Sequence, residues 1–428
     1  MVKKIIEKIL QIELLKVSSL AGISTLIKLS AQLIVSKVIV VVAGPNGLVL
    51  LGQLTNVTTI FQTFSVGGIT TGVTKYISEY EYDKPLQKKI ILNSIKITFY
   101  CSLITSVFII VFYKYITNYF FSNHNYETIV LVLGSTIFII GFNNLFVSIL
   151  NGLKRYKSFV TLNITSSIIG LIITVTLIYY WGIKGALTAY LIAPCFMIFF
   201  AFKYIKNEAN FKEIFSKPVP DFWVTKKLFG FSIMLFNNSI VGSFALIFIR
   251  SLLITNISTK SAAIWEAMNR LSSAYLLIIV SSIQVYYLPT LSSIIEKKKI
   301  TEEIIKTQKI IIPVCIVLFT MIYFLRNFII QLLFSEEFNE LNSLLPYQLV
   351  GDVIKITAWL ISYTLYAKSM TKALVLSDNI FTITNILFIY LFIDSQKVTS
   401  VYIAHIINNC IYLVFMIYFY RNHVLRKQ

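Results

Sequence analysis

Runs of roughly twenty apolar residues, separated by short polar breaks, recur along the whole of this 428-residue chain. A helical run of that length crosses a hydrocarbon core of about 30 Å, and a chain built from such runs has few other folds open to it. Only 13% of the residues are charged and 57% are hydrophobic, where a soluble domain carries about 25% charge. The sequence therefore specifies an all-α polytopic membrane protein. The apolar runs place helices near 17–42, 46–80, 88–113, 127–150, 158–180, 185–205, 227–254, 261–290, 303–325, 340–366, 372–393 and 398–420, or about 12 transmembrane helices. The leading "MVKKIIEKILQIELLK" is basic and amphipathic and lacks a small-residue cleavage site, so it is expected to stay attached to the first span. Cys101, Cys195, Cys315 and Cys410 all fall in spans without ligand or disulfide spacing, so neither a metal nor a cofactor is expected.

The net charge of +19 is distributed by loop. The N-terminus, "EYDKPLQKK", "NGLKRYKS", the segment 203–227, "EKKKITEEIIKTQK", "AKSMTKA" and "RNHVLRKQ" hold about 26 of the 38 Lys and Arg residues. The alternate loops hold about five, which puts the basic set and both termini in the cytoplasm. The charge is thus a topology signal whose surface partner is anionic membrane lipid, and no nucleic-acid partner is expected.

The longest basic connection contains Pro218 and Pro220 and falls at the midpoint. It divides the chain into an N-terminal lobe of six helices (1–206), a cytoplasmic linker (207–226) and a C-terminal lobe of six (227–428). A weak echo supports a repeat: Ile77-Ser78 aligns without gaps to Leu291-Ser292, and Ile90-Ile91 to Ile304-Ile305. Parallel repeats of this kind enclose a central cavity in many transporters. The cluster "SVGGITTG" (Gly67, Gly68, Gly72) lies in a helix too long to stay straight. It reads as close packing through small residues, with a hinge as the other reading.

Charges inside the spans are the candidate functional groups. Lys75, Glu79, Lys96 and Asp378 lie near the cytoplasmic surface and read as interfacial. Lys28 sits roughly 16 Å into the first helix, and Arg270 and Lys355 reach a similar depth from the other face. Charge at that depth costs at least about 2.5–3.5 kcal/mol and demands a wet or protein-lined setting. Glu266 and Arg270 are spaced i,i+4, and Asp352 and Lys355 i,i+3, so each acid can pair with its neighbour. Such pairs can simply be structural bridges. Yet Lys28, Lys37, Arg250, Arg270 and Lys355 outnumber Glu266 and Asp352, leaving a cationic interior suited to a phosphate or pyrophosphate. Glu266 and Asp352 are also candidates for ion coupling, if either changes partner when protonated. His405 reads as a hydrogen-bonded bundle residue, with a proton relay as the alternative. No Walker A loop and no long extracytoplasmic loop is present, so the chain is not expected to be an enzyme.

"GISTLIKLSAQLIVSKVIVVVAGPNGLVLLGQL", "GGITTGVTKYISEY", "VYYLPTLSSIIEKKKIT" and "YQLVGDVIKI" resemble the Wzx polysaccharide flippases. The likeness is to the subgroup of enterobacterial common antigen lipid III flippases and O-antigen translocases, and it covers essentially the whole chain. It implies the fold of the multidrug/oligosaccharidyl-lipid/polysaccharide (MOP) exporter superfamily, two six-helix lobes around a central cavity. It also implies a bacterial inner-membrane location. The implied cargo is an undecaprenyl-pyrophosphate-linked oligosaccharide, moved from the cytoplasmic to the periplasmic leaflet. Cationic residues on the first, second, seventh and eighth helices of such flippases are thought to meet the diphosphate or sugars; Lys28, Lys37, Arg250 and Arg270 lie on such helices, and Asp352 lies in the family-like "QLVGDV". An abundance of Ile, Lys, Asn and Tyr favours an O-antigen cargo, with lipid III as the alternative. A drug/cation antiporter should instead show an acidic interior, and an O-antigen polymerase longer periplasmic loops. An O-antigen polymerase and a chain-length regulator are partners implied by the pathway.

Overall fold

The computed structural model describes residues 2–121, 124–205, 222–230, 232–283, 287–294, 296–368, 370–396 and 398–425, and among these it contains helices and no strand. The first helix, α1 (Val2–Ser65), has an apolar part of 42 residues, Ser24–Ser65. That is about twice the length of a single crossing. It breaks at Gly44, with φ 62° and ψ −161°, immediately before Pro45. A residue preceding proline is pushed out of the helical region, glycine reaches positive φ without steric cost, and proline in the first turn sacrifices no needed N–H. The break falls between the spans expected at 17–42 and 46–80.

The expected helix 46–80 is not continuous. α1 ends at Ser65 and a short α2 (Thr70–Glu79) follows, because Gly67 and Gly68 both adopt φ 64°. Then come α3 (Lys84–Val111), α4 (Tyr113–Phe121), α5 (Glu127–Gly152) and α6 (Tyr156–Ile205). The Asp83 side chain caps α3 by accepting from the Leu86 N–H at 3.0 Å, one of the orphan donors of a helix start. α6 also breaks at a glycine, Gly182 with φ 55°, here followed by Ile183 and not by a proline.

Residues 207–221 of the connection 207–226 lie outside the described residues. Its last part forms α7 (Phe222–Phe229), so the helix expected at 227–254 is two: α7, then α8 (Ser232–Asn256). Val224 and Leu228 of α7 complete a core of Ile69, Val73, Ile77 and the facing side chains of α3 and α5. On the same short helix the Lys227 ammonium donates to the Tyr80 hydroxyl at 2.6 Å and lies 3.9 Å from the centre of the Trp223 ring. Hydrophobic burial plus a cation–π contact thus hold α7 on the α2–α3 bundle.

The remaining helices are α9 (Thr259–Ser282), α10 (Leu288–Ser293), α11 (Lys297–Phe324), α12 (Arg326–Leu333), α13 (Leu341–Ala367), α14 (Thr371–Gln396) and α15 (Thr399–Phe419). α13 packs against α9, α10, α11, α14 and α15 and buries both charged and apolar side chains. The chain forms two compact units, Met1–Ala43 with Leu50–Ser243 and Gly44–Val49 with Phe244–Gln428.

Nine stretches among the described residues are long and apolar enough to cross a membrane. Two of them, in α1 and α6, are divided by the glycine breaks, and α9 is long enough but carries Lys260, Glu266 and Arg270. A count of twelve rests on dividing the first two and admitting the third. Ile104, Val107 and Val111 of α3 are exposed along one face, an arrangement that lipid solvates and water does not.

Candidate functional site

The second unit gathers Arg250, Glu266, Arg270 and Asp352 around α9. Ser258 starts this helix, its hydroxyl accepting from the Ser261 N–H at 3.1 Å. Ala262, Ala263 and Ala267 are fully buried, so neighbouring helices approach closely and enclose Glu266 with them.

Glu266 is shared by two arginines. Arg250 on α8 donates from Nη2 to Glu266 Oε2 at 2.7 Å, and Arg270 on α9 donates from Nε to Oε1 at 3.1 Å. The Arg250 side chain is 2% exposed, that of Glu266 9% and that of Arg270 21%. Arg250 also sits 5.8 Å from the centre of the Trp265 ring. Both carboxylate oxygens are therefore engaged, and the three groups together carry one net positive charge. Arg270 is the member with surface to offer a ligand; Arg250 is sealed in.

The i,i+4 pairing of Glu266 with Arg270 matches the sequence reading, but Arg250 does not stand as an independent cation. It is the deeper of Glu266's two partners. This contact crosses from α8 to α9, and helical spacing within one segment cannot reveal it.

A second polar cluster joins α9, α13 and α15. Asp352 is fully buried. Its Oδ2 accepts from Ser272 Oγ at 2.7 Å, from Gln348 Nε2 at 3.0 Å and from the Tyr275 hydroxyl. Its Oδ1 lies 3.2 Å from His405 Nε2, a bond that requires the proton on Nε2 because an ionised carboxylate only accepts. Asn409, one turn beyond His405, reaches the Gly351 carbonyl at 3.3 Å. Gly351 makes the approach possible: a Cβ there would lie 2.4 Å from His405 Cδ2. Four donors on three helices thus stabilise the carboxylate.

The expected Asp352–Lys355 pair is therefore not formed at bonding distance. The Lys355 ammonium lies 4.9 Å from the centre of the Trp359 ring, on its own helix. Spacing of i,i+3 permits a contact, and here donors from α9 and α15 occupy the carboxylate instead. Lys28 and Lys37 belong to the first unit, where Lys28 is exposed and Lys37 half-buried. His405 is hydrogen-bonded within the bundle, with 18% of its side chain exposed.

Ser272, Tyr275, Gln348 and Asn409 were not singled out by sequence reasoning. The available signal was polar residues at i,i+3 or i,i+4 in three apolar spans: Ser272 with Tyr275, Gln348 with Asp352, and His405 with Asn409.

Comparison with known proteins fits this architecture. Residues 14–295 match the family described as polysaccharide biosynthesis protein. The lipid III flippases of Escherichia coli (strain K12) and Shigella flexneri are each 30% identical over 367 residues, covering 85% of this chain and 88% of theirs. Among solved structures, an inward-facing multidrug-resistance transporter of the MATE family superposes with TM-score 0.77 at 18% identity over 94% of both chains. A MOP superfamily transporter from Pyrococcus furiosus, described for the reversed polarity of its binding pocket, gives TM-score 0.76 at 16% identity over 96% of this chain and 97% of that one. These two likenesses speak for the fold. The family match and the flippase relatives go further and identify a multi-pass membrane transporter: with the fold of those solved structures, the chain belongs to the polysaccharide biosynthesis protein family, among the Wzx-type flippases.

Proposed function

We propose that this flippase of lipid-linked glycans carries an undecaprenyl-pyrophosphate-linked O-antigen oligosaccharide from the cytoplasmic to the periplasmic leaflet of a bacterial inner membrane. The observation that supports a diphosphate-bearing cargo is the Arg250–Glu266–Arg270 cluster, net positive and partly open at Arg270. A guanidinium offers paired donors that match phosphate oxygens, and its charge is already partly desolvated. Lys28, Lys37 and Lys355 are proposed to add further positive field along the path. The glycan cannot cross hydrocarbon, whereas the polyprenyl tail can remain in lipid while the protein alternates access. Both termini and the basic loops are assigned to the cytoplasm on their charge bias.

A second reading, lipid III as cargo, is favoured by the two relatives at 30% identity. Complementation separates the readings: expression in strains lacking either the O-antigen translocase or the lipid III flippase should restore the first pathway only. Restoration of the second alone would replace the O-antigen assignment. In proteoliposomes loaded with undecaprenyl-pyrophosphate-linked oligosaccharide, Arg270→Ala should slow flipping about tenfold or more, since a hydrogen bond to a charged group contributes about 1.5–3 kcal/mol. Full flipping by this variant would remove Arg270 from the substrate path and leave a structural ion pair.

Asp352 with His405 is proposed as the site where ion coupling enters. Protonating the carboxylate turns one of its oxygens into a donor and weakens its acceptance from Ser272, Tyr275, Gln348 and His405. Such a change biases the packing of α9 against α13 and α15.

A further inference from the structure

The first unit contains a polar groove that charge-based reasoning passes over. It lies where α1 gives way to α2, has a volume of about 270 Å³, and is lined by Gln62, Thr63, Thr70, Asn144 and Ser148 together with Val66, Val147 and Leu235. Among the described residues, no lining side chain is ionisable. The side-chain amides of Gln62 and Asn144 and the hydroxyl of Thr70 make no hydrogen bond to another described residue. Thr63 is held differently, its hydroxyl bonded to Ser239 Oγ at 2.6 Å and to the Thr59 carbonyl. Ser148 donates to the Asn144 carbonyl at 2.9 Å, which leaves its oxygen free to accept.

The backbone builds this groove. Positive φ at Gly67 and Gly68 ends α1, and Gly68 cannot carry a side chain without meeting Ser232 and Phe236 at about 3.1 and 3.0 Å. Ser232 Oγ closes the break by donating to the Gly67 carbonyl at 2.9 Å. α2 then begins at Thr70 with no side-chain cap, so its first N–H groups lie beside the groove unmet by any capping side chain. Irregular backbone within a membrane protein is tolerated where it lines a polar cavity.

Two amides, hydroxyls and helix-start donors, with an apolar wall and no charge, suit a ligand rich in hydroxyls and itself neutral. The hydroxyls of a sugar can both donate and accept, and its C–H face can lie on Val66, Val147 and Leu235. We infer that this groove holds one uncharged pyranose ring of the lipid-linked glycan, apart from any contact to the diphosphate. This rests on the glycan-flippase reading above and adds to it a neutral sugar subsite within the first unit.

The test uses full-length protein in nanodiscs and two probes, undecaprenyl pyrophosphate alone and undecaprenyl pyrophosphate carrying a neutral trisaccharide. Wild type should prefer the glycosylated probe by about tenfold, as expected of two or three modest hydrogen bonds. Gln62→Met and Asn144→Leu, made separately, should each lose most of that preference while keeping wild-type affinity for the bare lipid. Retention of the full preference by both variants overturns the subsite and leaves the flippase reading intact. Equal loss of both probes in both variants also overturns it, because the groove would then act on the whole headgroup or on folding. Absence of any glycan preference in wild type would overturn the subsite and weaken the glycan-flippase reading with it.

Discussion

Replacing Glu266 by Gln removes the one negative charge that Arg250 and Arg270 share. The consequences for the two arginines differ because their exposures differ. Arg270, 21% exposed, can turn toward water or headgroups; Arg250, 2% exposed, cannot. Leaving a buried charge without its partner costs about 3–5 kcal/mol, so Glu266→Gln should lower stability by that amount. Arg250→Met removes the 2.7 Å bond, but Glu266 keeps Arg270. The loss should be smaller, about 1.5–3 kcal/mol for a hydrogen bond between charged groups. The double variant buries an amide beside a thioether and no longer traps a charge. Its loss should fall short of the sum of the two single losses by at least about 1 kcal/mol, the usual coupling of contacting residues. Unfolding by SDS titration in mixed micelles measures all three. Additivity to within about 0.5 kcal/mol would refute the shared carboxylate as the element that makes Arg250 tolerable, whatever its distance from Glu266.

Two further outcomes follow from the Asp352 cluster. Gly351→Ala forces a Cβ to within 2.4 Å of His405 Cδ2, so it should destabilise by about 1–3 kcal/mol through overpacking; adding His405→Ala should recover part of that loss in the same titration, and no recovery would mean the clash is relieved elsewhere. Asp352→Asn keeps the shape of the side chain but removes the titrating acceptor, so glycolipid flipping in proteoliposomes should lose its response to an imposed pH gradient. An unchanged response would exclude this cluster as the coupling site.

The elements differ in how far sequence alone exposes them, and the reason is locality. Apolar runs and the Gly44-Pro45 break were visible because hydropathy and the proline restriction act within a few residues. Glu266 with Arg270 was visible because one turn of helix brings them together. Arg250 with Glu266, and Asp352 with His405, depend on how separate helices rotate and pack, which no spacing records. Lys355 shows the converse: its spacing allowed a pair, and donors from two other helices took the acceptor. The break at Gly67–Gly68 was half visible, since the glycines stood out while hydropathy ran straight through them.

Glu266 can also be regarded as a centre with two ligands. Arg250 is the inert one, enclosed and close; Arg270 is the labile one, longer and reachable. In the proposed cycle a phosphate exchanges for the carboxylate at Arg270 while Arg250 stays bound as a spectator. The exchange never passes through a bare carboxylate, so its barrier reflects one 3.1 Å contact rather than exposure of a buried ion. A single arginine paired to a single acid at this depth would lack that path. Release of the cargo in that proposed cycle would be the same exchange in reverse, with the waiting carboxylate of Glu266 as the entering group.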